Sequence, residues 1–133
     1  MGYRSNVVIT VAADSSEELE KLNVLWHMTE QYKKAEQYLE PPRVAEINTD
    51  GKNYPVWIWE FEDVKWYSEH VEVDVYEELH RLVMEEVVES SAYWQVRIGE
   101  EREDIVTDGS GNDDLLAELR CTFYPSGHIV SLV

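Results

Sequence analysis

Between Tyr54 and Tyr67 the chain places apolar side chains on both faces of a period-two pattern. Trp57, Trp59 and Phe61 share one face, and Val56, Ile58 and Val64 share the other. A strand with one wet face alternates apolar and polar residues. A segment apolar on both faces, at least through its first half, belongs to a central strand covered above and below. The rest of the chain must therefore supply the covering layers.

The flanking segments supply strands and helices in turn. Tyr3 to Ala13 is rich in β-branched residues and ends at Asp14-Ser15-Ser16, the pattern of a strand. Ser15 followed by Glu18 forms a capping box that opens a helix running to about Leu39. Its expected buried arc is Leu22, Leu25, Met28, Thr29, Tyr32, Ala35 and Leu39; Glu20, His27, Glu30, Gln31 and Lys34 take the other side. Pro41-Pro42 stops it. Arg43 to Asn48 reads as a short strand, and Asp50-Gly51 as the turn into the Tyr54 segment.

From about Val71 to Val88 the helical period returns. Val75, Tyr76, Leu79, Leu82, Val83 and Val87 form the expected core arc, opposite an acidic stripe of Asp74, Glu78, Glu85 and Glu89 broken by Arg81. Glu86 falls within the apolar arc, where it should meet Arg97 or Lys65, because an unpaired buried carboxylate is costly. Ala92, Trp94, Val96 and Ile98 alternate with Tyr93, Gln95 and Arg97 as a half-buried strand. An acidic connector follows, with Asp108-Gly109-Ser110-Gly111-Asn112 as its flexible tip. Leu119, Cys121 and Phe123 then alternate, Pro125-Ser126-Gly127 turns the chain, and His128 to Val133 closes a hairpin. The expectation is a single α+β domain over residues 1–133: a ferredoxin-like βαββαβ core, two helices on a mainly antiparallel sheet, with a C-terminal β-hairpin.

Composition fits one domain. With 133 residues, 44% hydrophobic and 11% aromatic, the chain can bury a real core and is not a disordered polyanion. Its 28 Asp and Glu against 11 Lys and Arg, net −17, argue against nucleic-acid binding, where cationic side chains supply most of the affinity. No apolar run approaches the roughly 20 residues that span a bilayer. The N-terminal segment lacks secretory-signal character, and Asn6 stands where a myristoylation motif wants Ser or Thr. Cys121 is alone, which fits a reducing compartment. A cytoplasmic protein is expected.

Tests for catalysis and metal binding find little. His27, His70, His80 and His128 are scattered, and Glu77-x-x-His80 is a single copy of a motif that di-iron sites need twice. Counted as a calcium loop from Asp104, the connector puts Gly109 at position 6 but Val106 at 3 and Leu115 at 12. Gly109-Ser110-Gly111 lacks the lysine of a phosphate loop. Cys121 reads as a small core residue. The expectation is no enzyme, no metal and no cofactor, and an enzymatic reading would need His70, His80 and acids in one pocket.

Charge is the better lead. Residues 1–59 hold 9 acids and 6 bases, net −3, whereas residues 60–118 hold 19 acids and 4 bases, net −15. Such a face can dock onto a basic partner surface and speed association. Solubility alone is the plainer account of the same charge. Trp66, Tyr67 and Tyr93 are candidates for exposure beside the acids, and Tyr and Trp are favoured interface anchors. The expected partner-binding residues are Asp63, Trp66, Tyr67, Asp74, Glu77, Glu78, Glu85, Glu89, Glu100, Glu101, Glu103 and Asp104.

Three stretches carry a family resemblance. Met1-Gly2-Tyr3-Arg4-Ser5-Asn6-Val7 resembles the MGYRSDV opening of a family of small acidic proteins of tailed phages and prophages. Asp63-Val64-Lys65-Trp66-Tyr67 through Val73 resembles their mid-chain WKWY element, and Val96-Arg97-Ile98-Gly99-Glu100 is similar to their VRIGE strand. Asn6 replaces an Asp and His70 an aromatic. The resemblance implies origin as a phage or prophage accessory protein, a class whose members often bind and block host proteins, defence nucleases included. The expected function is thus inhibition of a host protein with a basic surface, in the extreme as a DNA mimic. A self-associating structural or regulatory protein is the alternative.

Overall fold

The computed structural model describes residues 4–67, 70–99 and 105–123. Over these described residues it is α+β, with five antiparallel strands in the order β2-β3-β1-β4-β5 and helices on both faces of the sheet. β1 (Ser5–Ala12) lies at the centre, between β3 (Lys52–Val64) and β4 (Ala92–Gly99); β2 (Arg43–Thr49) and β5 (Ile105–Gly111) are the edges. Val7, Ile9 and Val11 face one hydrophobic layer, Val8 and Ala12 the other. Thr10, also buried, is satisfied by donating its hydroxyl to the Trp94 carbonyl at 3.0 Å.

The two-sided pattern of the Tyr54 segment is realised in β3, where Trp57, Trp59 and Phe61 face one layer and Val56 and Ile58 the other. Val64 departs from the expected alternation. The register against β1 slips between Ser5 and Val7, and Asp63 has φ 53°, so the strand bulges and turns Val64 onto the Phe61 face. At the other end Asp50 and Gly51, both at positive φ, close the β2–β3 hairpin.

α1 (Ser16–His27) and α3 (Val71–Met84) cover one face of the sheet together with α2 (Glu30–Ala35). Ser15 caps α1 by accepting the Glu18 N–H at 3.2 Å. The continuous helix expected to Leu39 is instead interrupted at Thr29. That side chain donates to the Trp26 carbonyl and accepts the Tyr32 N–H, ending α1 and capping α2, and a 3-10 turn at Glu36–Tyr38 follows. The buried arc shifts accordingly to Leu19, Leu22 and Trp26, leaving Leu25 and Met28 exposed. Trp26 turns inward, donates its indole N–H to the Val75 carbonyl at 2.8 Å and packs edge-on against Trp59.

α3 also ends earlier than expected. Glu86 has φ 56°, and the N–H groups of Glu86 and Val87 reach back to the carbonyls of Val83 and Leu82. This is a Schellman cap with a glutamate in the left-handed position. Glu86 is therefore exposed beyond the helix and does not enter the core, and Val87 is exposed as well.

The largest correction concerns residues 105–123. The glycine-rich tip expected as a flexible loop is β5, paired along β4 from Ala92↔Gly111 to Ile98↔Ile105. Its glycines answer close approaches. A Cβ on Gly109 would sit 2.7 Å from the Trp94 ring and 2.9 Å from Leu116, and one on Gly111, at φ +106°, would strike the Ser91 carbonyl and Ala92. Asn112 then caps α4 (Asp113–Phe123) by accepting the Leu115 N–H at 3.1 Å. Leu119 to Phe123 is thus helical, not the first strand of a hairpin. Leu115, Leu119 and Phe123 pack at helical spacing onto the second sheet face, and Cys121 is exposed on the opposite side of α4. The remainder of the expected hairpin, 124–133, lies outside the described residues.

Candidate protein-interaction face

The expected acidic stripe lies on α3, whose inner positions Val75, Tyr76, Leu79 and Val83 are locked into the core. Glu72, Glu77 and Glu85 are exposed on the helix, and Glu86 and Glu89 are exposed in the turn after it. Asp74 is half-buried. Glu78 is not part of a solvated face. It is only 8% exposed and accepts a two-pronged hydrogen bond from the Arg81 Nε and Nη2, while Arg81 Nη1 binds Glu85. These carboxylates hold the guanidinium pKa above its ordinary value, chiefly through the Glu78 hydrogen bonds. Arg81 thus neutralises the middle of the stripe.

The other expected partner-binding residues scatter. Asp63 is exposed at the β3 bulge, where its carbonyl accepts from Arg4 and its N–H donates to the Asn6 side chain, each at 2.8 Å. Trp66 is half-buried, its ring 5.6 Å from Phe61 and 6.0 Å from Tyr76, so it extends the core and is not a free anchor. Tyr67 is half-buried beside His70. Tyr93, expected at the surface, is fully buried. Glu100, Glu101, Glu103 and Asp104 lie outside the described residues. Asp63 and Glu89 sit beyond opposite ends of α3, a 14-residue helix about 21 Å long, so the set is not one contiguous patch.

A feature absent from the sequence reading lies at the C-terminal end of α3. An open groove of about 900 Å³ runs between α1 and the Val87–Ser90 turn. Val24 (51% exposed), Leu25 and Val87 (42%) line it, rimmed by Glu17, Glu20 and Glu89. Asp14 and Glu18 also line it, but Lys52 and Lys21 neutralise them. The signal in the sequence was Trp26, the largest apolar side chain of α1, which the expected arc left out in favour of Leu25. Shifting the α1 arc by one position to include Trp26 moves Val24 and Leu25 outward.

Among the described residues, His70 and His80 do not share a site. His70 precedes the first turn of α3, while His80, three turns on, stacks 4.4 Å above the Tyr93 ring, its Nδ1 3.6 Å from Asp108. Burial lowers the His80 pKa, and Asp108 works against that shift. Tyr93 is pushed far above its ordinary value by burial, and its hydroxyl donates to Gln95 at 2.6 Å. The His80 Nε2 and the Ser110 hydroxyl are buried with no hydrogen-bond partner among the described residues. Among those residues no three His, Cys, Asp or Glu side chains gather as metal ligands, and no helix is long and apolar enough to cross a membrane. No family model matches the chain, and no curated protein or solved structure matches it.

Proposed function

We propose that the chain is a phage or prophage accessory protein that binds, and thereby inhibits, a host protein with a basic surface in the bacterial cytoplasm. The observation carrying the binding part of this reading is the groove between α1 and the Val87–Ser90 turn, an exposed apolar floor with an acidic rim, while the origin rests on the resemblance carried by residues 1–7, 63–73 and 96–100. A dry centre with a charged surround is the usual anatomy of a protein-binding site. The rim selects a cationic partner and steers its approach. The apolar floor favours a protein partner over mimicry of duplex DNA, as does the neutralisation of Glu78 by Arg81. In the same reading the βαββαβ succession from β1 to β4 is a ferredoxin-like core, supported by the element order, with β5 and α4 added to it.

The test is affinity capture of the tagged protein from bacterial lysate at about 0.1 M and about 1 M salt, where the Debye length falls from about 10 Å to about 3 Å. A partner captured at low salt, released at high salt and lost with Glu17→Lys and Glu89→Lys supports the reading. Capture unaffected by both substitutions and by salt would overturn it. Self-association, the competing reading, places two like-charged grooves together and predicts a dimer in light scattering.

A further inference from the structure

A second cavity opens on the other flank of α1, against α2 and β3, with a volume of about 480 Å³, within the range of small-ligand sites. Its walls are aromatic. Tyr32 stacks on His27 with centroids 3.9 Å apart, Trp57 stands edge-on to Trp59 at 6.4 Å, and the buried Trp26 lies edge-on to Tyr32 at 4.9 Å. The two deepest indoles are fixed. Trp26 donates its N–H to the Val75 carbonyl, and Trp59 donates to the Glu40 carbonyl at 3.2 Å, which also pins Glu40 at the cavity rim. Pro41 and Pro42 stiffen the same rim. Three carboxylates, Glu20, Glu36 and Glu40, line the cavity, and among the described residues no lysine or arginine does.

We propose that this cavity binds an organic cation: a quaternary ammonium compound, or the ammonium or guanidinium end of a Lys or Arg side chain. Ring faces attract cations through their quadrupole, and partial desolvation between aromatic walls strengthens that attraction. The carboxylates add a negative potential that repels anions. Glu36 acts in the same sense on Tyr32, where it adds to burial in raising the phenol pKa. Tyr32 and Trp57 are half-buried, and because His27 already covers one face of Tyr32, the cation contact falls chiefly to Trp57. Apart from Glu20, which borders both, this cavity shares no lining residue with the groove on the other flank of α1, and the inference does not rest on that groove.

The test is titration of the full chain with choline, with the neutral isostere 3,3-dimethylbutan-1-ol, and with a short acetylated peptide carrying one arginine. Indole N–H resonances and tryptophan fluorescence serve as readouts. Saturable binding of choline or the peptide, with the neutral isostere at least about tenfold weaker, is expected. Glu36→Gln with Glu40→Gln, both at exposed positions, should weaken cation binding about fivefold or more, and Trp57→Leu should abolish it in a protein whose circular dichroism is unchanged. Tighter binding of the peptide assigns the site to a partner's side chain, and tighter binding of choline assigns it to a free small cation. Equal binding of the neutral isostere, no saturable binding of either cation, or insensitivity to the double Gln variant would overturn the proposal. Loss of the acidic-face partner with cation binding intact would leave it standing.

Discussion

Replacing Gly111 by alanine tests the placement of β5 directly. The added Cβ would lie 2.7 Å from the Ala92 Cα and 2.9 Å from Val83, and would strike the Ser91 carbonyl. Two of these are backbone atoms at the start of β4, so relief requires the edge strand to move. Overpacking of this kind costs typically about 1–3 kcal/mol. The φ of +106° adds about 1 kcal/mol or more for a residue with a side chain. Reduced freedom of the unfolded chain returns about 0.4–1 kcal/mol. The net loss is about 1–4 kcal/mol, a sizeable share of a typical stability of about 5–15 kcal/mol. For a domain of this size it lowers the melting temperature by about 10 °C. Gly51→Ala is the control, because Gly51 also has positive φ, at +77°, but nothing within 4 Å of the added atom. With the same φ cost, the same return from the unfolded chain and no clash, it should lose less than about 1 kcal/mol. Thermal and urea melts followed by circular dichroism give both numbers. A Gly111→Ala protein melting within about 2 °C of the parent, or no lower than the Gly51→Ala protein, would refute the pairing of β5 with β4.

Other substitutions probe single interactions. Arg81→Met leaves the buried Glu78 carboxylate without its partner and should lose about 1–3 kcal/mol in urea melts, most of it regained by adding Glu78→Leu. Thr29→Ala removes the α2 cap and should cost about 1 kcal/mol, with the Tyr32 amide exchanging faster by NMR. The lowered His80 pKa means the unfolded chain takes a proton that the folded chain resists. Stability from this group is therefore complete above about pH 6.5 and declines as pH falls below it, and His80→Gln should flatten that part of a stability-against-pH curve.

What the sequence made legible was periodicity backed by local chemistry. The Ser15 cap, the Asp50-Gly51 hairpin, the two-sided β3 and the core arc of α3 all follow from side chains that act within a few residues of themselves. The misreadings arise where two local rules compete. Leu119, Cys121 and Phe123 alternate like a strand, yet Leu115, Leu119 and Phe123 also repeat like a helix, and the Asn112 cap decides for the helix. Gly109 and Gly111 look like a loop tip, because the residues that require their missing Cβ atoms, Trp94 and Ser91, are remote in sequence. The candidate site was less legible. Acidic residues could be counted, but the pairing of Glu78 with Arg81 and the burial of Trp66 are tertiary facts. Both cavities flanking α1 depend on which face of that helix is buried, and Trp26, held inward by the Val75 carbonyl, decides it.

The central position of β1 has a consequence for synthesis on the ribosome. Its two edges are closed by β3 and by β4, and Ala12 pairs with Ala92, 80 residues later. At about 5–20 residues per second, roughly 4–16 s pass between the making of this strand and of its last partner. During the first part of that interval β1 has little charge beside it, because residues 1–59 carry a net charge of only −3. The acids that keep the finished protein apart from its neighbours are translated after the segment most in need of them. The emerging N-terminal strand is therefore a natural client for ribosome-associated chaperones.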